Sequence, residues 1–206
     1  MRAARLAALA VSIAAWGGLV VQFAILADAL GIALASWRFV GFFTILSNFG
    51  IALIATAVAF GKNNRLTVAR ARLMGLTAIV TVGLVYSALL RSLWSPTGLQ
   101  KMADAALHDV TPVLFAILWV LMPHGELKWS DLKWALAPPA LYLAYALGRG
   151  AVDGWYAYWF LNPATQTVAE LAMAIIGVLA VFALVAAGAI AFDRRMGGQA
   201  PMVKAG

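Results

Sequence analysis

Six apolar stretches, at 6–30, 36–60, 68–93, 103–122, 132–147 and 165–192, fill most of the 206 residues. A helix needs about 20 apolar residues to cross a hydrocarbon core about 30 Å thick. Five of the six stretches meet that length, and the one at 132–147 is shortened by Pro138 and Pro139. The expected fold is therefore all-α: a polytopic membrane protein with six transmembrane helices, forming one domain over 1–193 and followed by a flexible tail at 194–206. Composition excludes a soluble globular domain, since 64% of residues are hydrophobic, 11% are charged and the mean hydropathy is +0.91. With no cysteine there is no disulfide framework, thiolate nucleophile or thiolate metal site.

The basic residues orient these spans. A cytoplasmic N-terminus puts Arg2, Arg5, Lys62, Arg65, Arg70, Arg72, Lys128, Lys133, Arg194, Arg195 and Lys204 inside, which is eleven of the fifteen Lys and Arg. Arg38, Arg91, Lys101 and Arg149 fall outside. Such a split over short loops predicts that both termini are cytoplasmic. It also explains the net charge of +7 without nucleic acid, because the cations flank spans where anionic lipid attracts them. Arg2 and Arg5 before an apolar run resemble a signal peptide, but the run is longer than the usual 7 to 15 residues and reads as an uncleaved first span. The aromatic stretch from Trp155 to Phe160 belongs at an interface, either as a belt at headgroup level or as a lid over an acyl chain. Asn162 and Pro163 then read as the cap and first residue of the last helix.

Polar side chains inside a span are costly, so each is a functional candidate. In the second span Thr44, Ser47 and Asn48 share one face; in the fourth, Asp104, His108 and Thr111 share one, with Asp109 about a quarter-turn away. Ser87 and Arg91 align near the outer end of the third, beside Tyr86. At 1.5 Å per residue, Thr44 lies roughly 12 Å and His108 roughly 8 Å below the outer ends of their spans. A hydroxyl, an imidazole, a carboxamide and a guanidinium thus share the outer half of the bundle. A hydroxyl nucleophile needs a base, and imidazole suits that near neutrality, so Thr44 and His108 form the candidate catalytic pair. Asp104 is placed to fix the histidine tautomer. Asn48 and Arg91 are candidates to stabilise an oxyanion or hold a substrate carboxylate, and Pro112 is expected to kink the fourth span beside them.

The segments Phe43-Thr44-Ile45-Leu46-Ser47-Asn48, His108-Asp109-Val110-Thr111-Pro112 and Tyr158-Trp159-Phe160-Leu161-Asn162-Pro163 resemble those of the androgen-induced protein and androgen-dependent TFPI-regulating protein family, in its bacterial branch. The resemblance covers nearly the whole chain as six spans. Animal members are membrane hydrolases that cleave fatty acid esters of hydroxy fatty acids with an intramembrane threonine nucleophile and a histidine; by motif these are Thr44 and His108. Tyr158, in the third segment, joins the residues expected to contact substrate or oxyanion. The chain departs from the animal members in having fewer residues between His108 and Pro112, and more between Trp37 and Thr44.

The function these features imply is an intramembrane hydrolase of outer-leaflet acyl esters, with a lipid or fatty-acyl ester and the bilayer as partners and the cell membrane, as in a bacterial inner membrane, as its place. The alternative is a non-enzymatic lipid-binding or transport protein whose polar cluster holds a headgroup or carboxylate. No cofactor is expected: two distant histidines and scattered carboxylates do not supply a three-ligand metal site.

Overall fold

An uninterrupted apolar run without proline folds into α1 (Arg2–Leu30), which ends at Gly31, a residue with φ of 74° that no β-carbon favours. The computed structural model describes residues 2–198. Beyond α1 lie α2 (Ile32–Phe39), α3 (Phe43–Ala59), α4 (Ala69–Val85), α5 (Gly98–Ala105), α6 (Thr111–Leu121), α7 (Leu132–Asp153) and α8 (Val168–Gly197), with no strand among the described residues. Arg2–Leu30, Ala69–Leu93, Gly98–Leu121 and Val168–Gly197 are long and apolar enough to cross a membrane, and α2 with α3 makes a fifth if that bent pair counts as one span. The chain is an all-helical membrane protein.

The faces of α1 show the same solvent preference. Ala4, Ala8, Val11 and Ala15 are buried against the bundle, while Leu6, Ile13 and Val20, seven residues apart, stay exposed on the opposite side. Apolar side chains facing out and small ones facing in is the pattern of a helix in lipid, where close backbone approach drives association. Between α1 and α3, Ser12 and Thr56 hydroxyls meet at 2.7 Å and Trp16 Nε1 donates to the same Thr56 at 3.2 Å.

Three departures from the sequence expectation bear on the site. The second stretch is not one straight helix, because α2 and α3 meet at 82°. At the bend the carbonyls of Val40 and Gly41 accept from the Tyr145 and Tyr142 hydroxyls at 3.3 and 2.9 Å, replacing the helical bonds they would otherwise make. A β-carbon at Gly41 would run into the Arg149 guanidinium and the Trp155 ring, so the close approach requires glycine. Secondly, α7 runs through Pro138 and Pro139 to Asp153. Two lost backbone donors in 22 residues do not stop a helix packed on α4 and α8. Finally, α8 starts at Val168 and not after Asn162. Asn162 Oδ1 caps a turn at Ala164 N (3.0 Å), whereas Thr167 and Glu170 form the reciprocal capping box that starts the helix. Because α8 continues to Gly197, Arg194 and Arg195 are helical; residues 199–206 of the expected tail lie outside the described residues.

At the end of the bundle away from the α2–α3 bend, Arg70 pairs with Asp131 (2.9 Å), Arg72 donates to the Pro123 carbonyl (3.0 Å) and His124 meets Asp193 (3.2 Å). Arg70 and Arg72, of the basic residues grouped by charge, thus lie at one end, and the Thr44 site lies at the other.

Candidate active site

The bend positions Thr44. Instead of lying two turns down a continuous helix, it is the second residue of α3, where backbone N–H groups have no carbonyl of their own helix to meet. Its N–H donates to the Tyr158 hydroxyl at 3.3 Å, and its Oγ1 lies 3.5 Å from the same hydroxyl. His108 Nε2 lies 3.4 Å from Thr44 Oγ1, across from α3.

His108 sits in a π-turn, Ala106–Val110, that joins α5 to α6. Pro112, the second residue of α6, has no N–H for the His108 carbonyl, and the wider turn passes the chain over that gap through a bond from Thr111 N to the Ala106 carbonyl. The expected kink is realised as this one-residue bulge. Its partner is a second π-turn at Tyr86–Leu90, continuing α4. Gly83 lets the two elements close up, since a β-carbon there would lie 3.2 Å from the His108 carbonyl oxygen.

Around the imidazole the network assigns a neutral tautomer. Nδ1 lies 3.1 Å from both the Asp104 carbonyl and Asp104 Oδ1, but only the carbonyl is aligned to accept, and Oδ1 remains without a hydrogen-bond donor. With its proton on Nδ1, His108 presents the Nε2 lone pair to the Thr44 hydroxyl. The ring stacks on Tyr86 with centroids 3.8 Å apart and planes 13° from parallel. Tyr86 donates to Asp104 Oδ2 at 2.7 Å and accepts from Trp94 Nε1 at 3.0 Å, so the carboxylate is fixed by the residue that clamps the imidazole.

Thr44, Tyr86, Asp104, His108 and Tyr158 all line one cavity of about 360 Å³, which Gln22 of α1, hydrogen-bonded to Gln100 of α5 at 2.8 Å, also lines. A smaller apolar void of about 50 Å³ lies behind Thr44, between Val85, Tyr142, Phe160 and Phe182. The wall between the two spaces consists of Thr44, Tyr86, Leu90 and Tyr158. The loop after α7 folds over this region: Ala157 and Tyr158 line the cavity, and Phe160 and Leu161 are buried beneath. Burial pushes the Tyr158 hydroxyl up, against the bonds from Thr44, so it keeps its proton for donation.

Two residues named from the sequence stand apart from this chemistry. Asn48 is fully buried, and its Nδ2 donates to the Thr44 carbonyl (2.9 Å) and the Leu107 carbonyl (3.1 Å), which locks α3 to the π-turn and leaves no donor for an oxyanion. Arg91 is paired with Asp109 and Ser87 at the protein surface, where the quarter-turn offset of Asp109 from His108 places that carboxylate; its guanidinium lies 4.9 Å from the Tyr86 ring centroid, but it does not line the cavity. Tyr86 and Trp94, in contrast, belong to the site without having been assigned a role from sequence; their bonds span 18 and 8 residues, beyond any helical spacing. No three His, Asp or Glu side chains converge to hold a metal ion among the described residues.

In comparison with known proteins, the chain matches no protein-family model, no curated protein and no solved structure.

Proposed function

We propose that the protein is an intramembrane hydrolase of fatty-acyl esters, with Thr44 as nucleophile and His108 as base. The observation that carries this reading is the Thr44 hydroxyl held between a histidine nitrogen whose tautomer is fixed and a tyrosine hydroxyl, on the wall of a largely apolar cavity. In the first step Thr44 Oγ1 attacks the ester carbonyl carbon while its proton passes to His108 Nε2. The carbonyl oxygen becomes an oxyanion beside Tyr158, whose hydroxyl accepts from Thr44 N–H and turns its own proton from Thr44 Oγ1 to the oxyanion as the Oγ1–carbon bond forms. Collapse of the tetrahedral intermediate breaks the ester C–O bond, and the leaving alcohol takes the proton from Nε2. Water then attacks the acyl-threonine ester with His108 again as base, which releases the fatty acid and restores the hydroxyl. The motif resemblance to the androgen-induced protein family supports the same pair.

One observation favours the alternative, a lipid-binding protein without turnover: with Asn48 and Arg91 engaged elsewhere, Tyr158 is the one side chain aimed at the oxyanion position. Hydrolysis of a fluorogenic long-chain acyl ester by purified protein tests the two. Turnover by the wild type, reduced by about 100-fold or more in both Thr44→Ala and His108→Ala, is expected of the hydrolase. Absence of turnover in the wild type, or undiminished turnover in Thr44→Ala, rejects it. The same reading includes six membrane crossings with both termini in the cytoplasm of a bacterial cell and the site in the outer half of the bundle.

A further inference from the structure

A second charged cluster lies where the α2–α3 bend packs on the end of α7. Arg149 is buried, its side chain 4% exposed, although a guanidinium keeps its charge in any protein environment. Its guanidinium carbon is 4.0 Å from the Trp37 ring centroid and 5.1 Å from that of Trp155. Arg38, half-buried, places its own 4.3 Å from the same Trp155 ring. Asp153 is the carboxylate beside them. Its oxygens accept from Trp37 Nε1 (2.7 Å) and Trp155 N (2.9 Å), and its approach to Arg149 Nε, 3.7 Å, is too long for a hydrogen bond. Arg149 Nη1 donates to the Tyr145 hydroxyl at 3.2 Å, but Arg149 Nε and Nη2 and Arg38 Nη1 are buried with no acceptor among the described residues.

Two guanidiniums against one carboxylate leave a positive charge without a partner, and three of their N–H-bearing nitrogens unbonded. Tryptophan faces attract the cations and hold their planes in place, but they accept no conventional hydrogen bond. A planar guanidinium fork with free donors matches the oxygens of a phosphate ester or carboxylate. The surroundings identify what carries that anion: Trp37, Val40 and Val152 are exposed on the rim of the cluster, an apolar edge suited to an acyl chain. The cluster also adjoins the cavity, since Phe42, which lines it, packs edge-on against Trp155 with centroids 5.4 Å apart.

We propose that Arg38 and Arg149, framed by Trp37 and Trp155, bind the anionic headgroup of an amphiphile whose apolar tail follows the exposed rim beside the bend. This binding does not depend on turnover at Thr44.

Thermal unfolding of the full chain in a neutral maltoside detergent tests it, with dioleoylphosphatidylglycerol, oleate, dioleoylphosphatidylcholine or inorganic phosphate titrated in. The anionic lipid and oleate should stabilise the protein at concentrations about ten-fold lower than the zwitterionic lipid or phosphate. Arg38→Gln is the informative variant, since Arg149 also fastens α7 to α2; it should weaken the response by about ten-fold while unfolding without ligand near the wild-type temperature. Asp153→Asn removes the competing negative charge and should strengthen it. Thr44→Ala should respond as the wild type does, so a failure of the hydrolase reading leaves this result readable. Equal responses to phosphatidylglycerol and phosphatidylcholine, an unchanged response in Arg38→Gln, or a weaker one in Asp153→Asn would overturn the proposal. A response to inorganic phosphate equal to that of the lipid would overturn its amphiphile.

Discussion

At the level of single residues, what separates the site from its surroundings is which polar atoms remain uncommitted. Asn48 and Tyr158 are both near Thr44, yet the Asn48 donors are spent on two carbonyls while the Tyr158 O–H faces the Thr44 Oγ1 at 3.5 Å, beside the reacting atom. Tyr158→Phe should therefore lower kcat for acyl-ester turnover by about 100-fold, the usual loss of one oxyanion donor, with little change in KM. Asn48→Leu should instead lower the unfolding midpoint, because two buried carbonyls each lose a donor at about 1 to 3 kcal/mol. Arg91→Gln should alter turnover by no more than about two-fold, since its pair with Asp109 is solvent-exposed and screened, and it does not line the cavity. That Thr44 and His108 each occupy the polar face of an otherwise apolar helix at similar depth was legible in the sequence; that the two faces meet, at 3.4 Å, was not, because it depends on how the helices pack. Nor was the role of Tyr86, because a stack between two π-turns leaves no local spacing to read.

At the level of elements, two kinds of interruption shape the site, and sequence disclosed them unequally. Pro112 announced a disturbance beside His108, and the π-turn is its form. The 82° bend before α3 had no such sign: Gly41 alone is weak, and the deciding bonds come from Tyr142 and Tyr145, about a hundred residues later in the chain. Gly83→Val tests whether the π-turn geometry matters. Its β-carbon would press on the His108 carbonyl, so turnover should fall by about ten-fold or more while helical content by circular dichroism is retained. At the opposite end of the bundle, Asp131 ties the start of α7 to α4 through Arg70 and caps its own turn through Lys128 N. Burial alone would raise this carboxyl, but the Lys128 N–H and the Arg70 guanidinium outweigh it and hold it below its ordinary value. A depressed folded-state pKa stabilises fully above the unfolded value near 4 and is lost as pH falls through the lower folded value. The gap in unfolding midpoint between wild type and Asp131→Asn should thus be constant above about pH 5 and shrink below about pH 4.

For the whole molecule, hydropathy and charge fix more than any motif does, because both are properties of long segments that a bilayer reads directly. The all-helical membrane class was legible for that reason, and so was the gathering of Arg5, Arg70, Arg72 and their neighbours at one end of the bundle. The number of crossings was harder to read. Although 22 residues long, α7 carries Lys133, Arg149 and Asp153 and is not apolar enough to stand with the spans, while the second stretch divides at the bend. Six crossings with cytoplasmic termini make one sharp demand: the loop after α4, at the Thr44 end, must face outward, and the loop after α3 must face the cytoplasm. Because the chain has no cysteine, single cysteines at Ser95 and Asn63 report the two loops without background. In intact cells a membrane-impermeant maleimide should label Ser95→Cys and spare Asn63→Cys, with both labelled after permeabilisation. The reverse pattern would turn the site to the cytoplasmic leaflet and reassign its substrates to that side; labelling of both in intact cells would mean that α4, the one segment between them, fails to cross.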